Sequence, residues 1–283
     1  MSFVKIDGTA LHVVRDGSSG PPVLITQGLG GAWFDWDPVV PQLAHDVRLI
    51  RFDRPGLGWS QPEPADGPPA EQTAVGEARR MLRLLDALGV PAGEKVVLVA
   101  HSYGGFHAEA FARLFPERTG GVVFVDSSVE PEITPKPGGP ARAVSRAVVR
   151  GARALGLNQL VGPGVRRLVI ALASETRQDP DPELARAVYR SSRVAAATVN
   201  ELTSYRPVAV ELLELRCERA FPDVPVRVLV GGGGPGAERW LRRQREFAGL
   251  FRGAEVVELR DAKHLIASDR PDAIADAVRA VAF

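Results

Sequence analysis

The chain has 283 residues, enough to bury one large α/β domain or one domain carrying an insertion. At 45% hydrophobic and 24% charged it has the make-up of a globular protein and not of a disordered one. Its 35 Lys plus Arg stand against 34 Asp plus Glu, so no net field draws it to nucleic acid or an anionic membrane.

The single cysteine, Cys217, excludes an intrachain disulfide and a multi-cysteine zinc site. Within ELLELRCERA it reads as a half-buried small hydrophobe on a helix. No apolar run approaches the length of a membrane span, and MSFVKIDGTALHVVRDG lacks the layout of a signal peptide. A cytoplasmic location is therefore expected.

In chain order, the N-terminus alternates like strands, and LHVVRDG and PVLITQG read as strands bounded by Pro and Gly. VRLIRFD is the next, ending in the turn-forming RPGLGWS. Between Ala70 and Leu88 the apolar residues Val75, Ala78, Leu82, Leu85 and Leu88 recur at three and four, which predicts a helix. The strand KVVLVA, a helix from about Gly104 to Phe115 and the strand GVVFVD follow. The C-terminal part offers VRVLV, a helix over Ala237 to Leu250, the strand EVVEL and a last helix opening at Pro271. Continuously Val- and Leu-rich strands separated by helices indicate a mainly parallel sheet covered on both faces.

From Glu130 to about Asp223 there is no clear strand. Basic amphipathic stretches such as ARAVSRAVVRGARALG and ELARAVYRSSRVAAATVNELTSY predict a helical insertion over 130–223, with the α/β core in 1–129 and 224–283. The insertion leaves after GVVFVD, at a strand's carboxyl end, where open α/β sheets place their ligands. It is expected to act as a lid.

In KVVLVAHSYGG, a strand runs directly into Ala100-His101-Ser102-Tyr103-Gly104 and then a helix, the layout of a nucleophile elbow. The turn is tight enough to push the Ser102 hydroxyl clear of the sheet, and it demands small residues two before and two after. The N–H of Tyr103, at the helix start, would face a developing oxyanion. A second donor is expected from QGLGGAW, where glycines let the backbone approach, and the N–H of Leu29 is the candidate. A hydroxyl needs a base, expected late in the chain, and His264 stands there after EVVEL.

With these residues in order, the chain resembles an α/β-hydrolase-fold enzyme of the large esterase and carbon–carbon hydrolase group. FDRPGLGWS resembles the family's turn after its fourth strand, and DRP in ASDRPDAIADAV the stretch before its last helix. The resemblance covers Ser2–Ser127 and Pro225–Phe283, while the insertion matches in position and helical character only. It departs at the oxyanion loop, where Gln27-Gly28 replaces the usual His-Gly. It departs again after VRVLV, where the family's acid is expected and GGGGPGAERW offers no carboxylate before Glu238. The alternative acid position in this fold is the end of the preceding strand, which holds Asp126. Asp126 is preferred to Glu238, because a carboxylate in a first helical turn is favoured on its own account.

Other residues carry more ordinary readings. His101 should face away from the nucleophile as a packing residue, Asp53 and Arg54 form a local structural pair, and Asp261 belongs to a turn. Trp33 and Phe34 either line a substrate pocket or pack in the core. The run GGGGPG satisfies G-x-G-x-x-G at Gly231, Gly233 and Gly236, with Glu258 about twenty residues on. Only one strand–helix–strand unit follows, and Pro235 removes an N–H, so a nucleotide site is rejected.

The expected function is a serine hydrolase that cleaves a carboxylic ester or related acyl bond of a small apolar substrate through Ser102, His264 and Asp126. Carbon–carbon or thioester hydrolysis, acyl transfer or elimination, and low-turnover ligand binding on the same fold are the alternatives. The resemblance implies no metal or organic cofactor. The expected partner is a small molecule, and neither nucleic acid nor a membrane.

Overall fold

The computed structural model describes residues 2–63, 73–130, 158–234 and 236–283. ARAVSRAVVRGARALG, part of the expected insertion, lies outside them, as does Pro235. Eight strands form one sheet: β1 (Ser2–Ile6), β2 (Thr9–Asp16), β3 (Pro22–Thr26), β4 (Arg48–Phe52), β5 (Val96–His101), β6 (Thr119–Val125), β7 (Val226–Gly231) and β8 (Glu255–Leu259). Their spatial order is β1-β2-β4-β3-β5-β6-β7-β8, antiparallel at β1/β2 and β2/β4 and parallel everywhere else.

The helices are α1 (Val40–Leu43), α2 (Ala74–Ala87), α3 (Gly104–Leu114), α4 (Asn158–Ala173), α5 (Pro182–Tyr189), α6 (Ser192–Glu218), α7 (Ala237–Ala248), α8 (Ile266–Asp269) and α9 (Pro271–Ala282). The period of two in the strands sorts their side chains onto the two faces. Leu24, Leu98, Ala100, Val122, Phe124 and Val228 meet α2, α3, α6 and α7 in one core. Val23, Ile25, Val97, Val99, Val123 and Leu229 meet α1, α8 and α9 in the other. Both faces being buried explains why these strands read as unbroken apolar runs. Each buried Val, Leu or Phe contributes about 1.5–3 kcal/mol relative to exposure.

The predicted helix from Ala70 starts within the described residues at Ala74, where the Thr73 hydroxyl accepts from the Gly76 N–H at 2.9 Å as an N-cap. Among the described residues, no strand lies between β6 and β7; α4, α5 and α6 occupy that interval. No helix of the described residues is long and apolar enough to cross a membrane.

Two expectations need correction. Cys217 is exposed, not half-buried. Helix α6 turns Val208, Leu212 and Leu215 inward, and two residues beyond Leu215 the thiol falls on the opposite side. Asp53 and Arg54 do not pair with each other. Asp53, fully buried, accepts from the backbone N–H groups of Trp33 and Trp59 and faces His12 Nδ1 at 2.9 Å. Arg54 points the other way, to Glu201. Adjacent residues on extended chain project to opposite sides, so their proximity in sequence says nothing about pairing.

Candidate active site

The strand β5 delivers Ser102 to the sheet's carboxyl edge with φ at 50°, a left-handed conformation that a non-glycine residue adopts only when its surroundings hold it there. Those surroundings are visible. The Ser102 carbonyl accepts from the N–H groups of Gly105 at 2.9 Å and Ser128 at 3.0 Å, and its own N–H donates to the Val125 carbonyl. A Cβ on Gly104 would stand 2.7 Å from the carbonyl oxygens of both Thr26 and Gln27, the backbone at the end of β3. A Cβ on Gly28 would come within 3.2 Å of the Ser102 Cβ. The small residues of the elbow are therefore demanded by neighbouring backbone.

His264 Nε2 lies 3.0 Å from Ser102 Oγ, and His264 Nδ1 lies 2.6 Å from Asp126 Oδ2. A carboxylate only accepts, so Nδ1 carries the ring proton and Nε2 is left as the acceptor facing the hydroxyl. Asp126 is 3% exposed and also has a left-handed backbone, φ 42°, which turns its carboxylate across the end of β7. There its other oxygen accepts from the Gly231 N–H at 2.9 Å and from Trp240 Nε1 at 2.7 Å. Glu238 sits exposed in the first turn of α7 and takes no part in this chain of contacts.

The loop bearing His264 is fastened on both sides. The Lys263 N–H donates to Asp269, the Leu265 N–H donates to the Ala173 carbonyl, and His101 Nε2 meets the His264 carbonyl at 2.9 Å. His101 thus does more than pack: since a carbonyl only accepts, its Nε2 bears the proton. Burial, followed by the neighbouring His264, lowers its pKa to about 3, so it stays neutral. The glycine run after β7 gives this loop its room, for a Cβ on Gly231 would lie 2.4 Å from the Lys263 carbonyl oxygen. Asp261 is exposed and pairs with Arg270.

The N–H groups of Leu29 and Tyr103 have no hydrogen-bond partner among the described residues, whereas the flanking Gly30 and Gly31 N–H groups are both engaged. Gln27, in place of the usual histidine, donates from Nε2 to the Phe52 carbonyl at 2.6 Å. Trp33 and Phe34 are buried in a cluster with Ala185, Val188, Val194 and Ala197, so they pack the core against α5 and α6. A cavity of about 500 Å³ lined by Arg15, Pro22, Arg48 and Val90 lies at the amino ends of β3 and β4, the wrong end of the sheet for Ser102. A smaller cleft lined by Arg54, Glu77, Tyr103, His107 and Glu201 opens next to the elbow.

Sequence reasoning missed Trp240, Arg54 and Glu201. For the first, an indole four residues after a glycine that begins a helix carries no recognisable signal. For the others, two charged residues 147 positions apart can be joined only by the fold.

The arrangement holds a hydroxyl, an imidazole and a carboxylate in line, with two free amides nearby, which is what acyl transfer through a serine requires. A haloalkane dehalogenase from Sphingobium indicum is 32% identical over 130 residues, 46% of this chain and 42% of that one. A 2-hydroxymuconate semialdehyde hydrolase from Pseudomonas sp. (strain CF600) is 36% identical over 123 residues, 42% of this chain and 40% of that one. These matches span about two fifths of those relatives' lengths. Among solved structures, a thermophilic esterase from Thermogutta terrifontis is 27% identical with a TM-score of 0.72, covering 99% of this chain and 97% of that one. A family model matches residues 23–277, nearly the whole length, and with that match the chain belongs to the alpha/beta hydrolase family.

Proposed function

We propose that the protein is a serine hydrolase acting on a carboxylic ester or related acyl bond of a small substrate. Ser102 Oγ attacks the carbonyl as its proton passes to His264 Nε2, and Asp126 stabilises the imidazolium that forms. The N–H groups of Leu29 and Tyr103 receive the oxyanion. His264 returns the proton to the leaving group, and water, activated by the same ring, releases the acid and restores the serine. The observation that carries this reading is the unbroken contact from Ser102 through His264 to Asp126, at 3.0 and 2.6 Å.

The insertion over 130–223, whose described helices are α4, α5 and α6, is assigned the role of lid. Supporting this, Tyr189 donates to the Gly30 carbonyl at 3.0 Å and Glu201 accepts from the Gly30 N–H at 2.8 Å, so α5 and α6 rest on the oxyanion loop.

The likeness to a 2-hydroxymuconate semialdehyde hydrolase favours carbon–carbon cleavage as a second reading. The same three side chains would serve it, so product analysis separates the two. The primary test is a panel of esters and thioesters with a fluorophosphonate probe. Wild type should turn over and label at Ser102, and Ser102→Ala should do neither. An unlabelled, folded wild-type protein would overturn the proposal and leave ligand binding as the better account.

A further inference from the structure

Arg54 and Glu201 are both buried, at 3% and 4% exposure, and they meet through two contacts: Nε to Oε1 at 2.6 Å and Nη2 to Oε2 at 3.0 Å. Burial disfavours the Arg54 cation, yet the Glu201 carboxylate more than offsets this and its pKa stands above the ordinary value. The pair joins α6 to the turn after β4. Its other contacts are the informative ones. Arg54 Nη1 donates to the Gln27 carbonyl at 2.6 Å and Nη2 to the Gly28 carbonyl at 2.7 Å. Glu201 Oε2 accepts from the Gly30 N–H at 2.8 Å. Three backbone groups flanking Leu29, the Gln27 and Gly28 carbonyls and the Gly30 N–H, are therefore held by these two side chains.

A trans peptide unit is planar and points its C=O and N–H in opposite directions. The Gly28 carbonyl faces Arg54, so the Leu29 N–H, the other half of the same unit, faces away from it. Gly28 itself abuts Ser102, since a Cβ there would come within 3.2 Å of the Ser102 Cβ. A cation bonded to a carbonyl also draws electron density from the attached N–H and makes it a stronger donor.

Resting on the serine-hydrolase reading, we propose that Arg54 and Glu201 are positioning residues for the oxyanion hole: Arg54 orients and polarises the Gly28–Leu29 peptide, and Glu201, from the helical insertion, holds Arg54 and the Gly30 N–H in register. Engagement of α6 with the core and completion of the oxyanion hole are then one event. A purely structural ion pair would stabilise the fold without any preference for the transition state.

The test uses Glu201→Gln, which keeps shape and an acceptor oxygen but removes the charge, and Arg54→Lys, which keeps the charge but loses the fork. Rates are normalised to active sites titrated with the fluorophosphonate. Removing one oxyanion donor outright costs about 10²–10³ in kcat, so its misorientation is expected to cost about tenfold in Glu201→Gln with KM within about twofold. Affinity for a trifluoromethyl ketone analogue should fall by the same factor, while affinity for an unreactive ground-state analogue holds. Amide hydrogen exchange over residues 27–31 should rise in the variant.

A variant that is only less thermostable, with kcat per titrated site and exchange in 27–31 unchanged, would overturn the proposal. So would a loss confined to KM. Should wild type fail to label, the serine-hydrolase reading falls, and the exchange measurement still decides whether this pair holds the loop.

Discussion

Asp126 Oδ2 lies 2.6 Å from His264 Nδ1, although the two residues are 138 positions apart and the carboxylate springs from the end of β6. The strand that neighbours the histidine loop, β7, ends in glycine instead. Asp126 reaches across because its left-handed backbone turns the side chain toward β7, where the Gly231 N–H anchors it. Asp126→Asn should therefore cut kcat by about 10⁴, the effect of making that change in a serine protease triad, because an amide favours the wrong imidazole tautomer. Glu238→Gln should change kcat by less than about twofold. Steady-state kinetics on purified variants checks both, and the reverse ranking would refute the assignment.

Much of this was legible in the sequence. The small residues around Ser102 exist to admit the backbone at the end of β3, a local steric demand that leaves a local mark. The strands were legible because burial on both faces removes polar alternation. That Asp126 stands beside His264 was legible by position, because topology limits which strand ends can meet the histidine loop. The Asp53–Arg54 pairing was misread because adjacency in sequence is not adjacency of side chains. Arg54 with Glu201, and Asp126 with Trp240, could not be foreseen, since each depends on how an insertion or a late helix docks. Nothing within a few residues of either partner encodes that.

Trp240 Nε1 donates to the oxygen of Asp126 that the histidine does not use, at 2.7 Å. A hydrogen bond to a charged acceptor is worth about 1.5–3 kcal/mol, and losing it frees the carboxylate to rotate away from Nδ1. Trp240→Phe keeps the ring and deletes the donor. It should lower kcat roughly tenfold with KM nearly unchanged, because the indole donates to Asp126. A fall in KM-dependent binding alone would assign Trp240 to the pocket instead.

The two elbow glycines should respond differently to the same substitution. A Cβ at Gly104 meets the carbonyl oxygens of Thr26 and Gln27 at 2.7 Å, and backbone at the end of a central strand retreats only at a cost. A Cβ at Gly105 meets Ser127 Oγ at 2.7 Å, a side chain that also bonds the Ala100 carbonyl. Gly104→Ala should cost about 1–3 kcal/mol in urea unfolding and also displace Gln27-Gly28, so activity should fall. At Gly105 the new Cβ also meets Ser127 Cβ at 2.8 Å, which rotation of the hydroxyl does not relieve, so Gly105→Ala should cost comparable stability but leave Gln27-Gly28 in place and activity per folded molecule less affected.

His107 is 3% exposed, and its Nδ1 has no hydrogen-bond partner among the described residues. Burial, reinforced by the Arg54 and Arg80 cations, holds its pKa well below the ordinary histidine value. The unfolded chain then binds a proton that the native protein refuses, so stability is full above about pH 6.5 and declines as pH falls below it. Each such ring costs about 1.4 kcal/mol per pH unit in that window. His101, with its pKa at about 3, acts in the same direction over the same range. His107→Phe removes one of the two titrating rings while retaining an aromatic beside Tyr103, whose ring centroid lies 4.8 Å away. Between about pH 7 and pH 5 the variant should lose less stability than wild type in urea unfolding. Equal losses in the two proteins would mean that His107 is protonated in the native state.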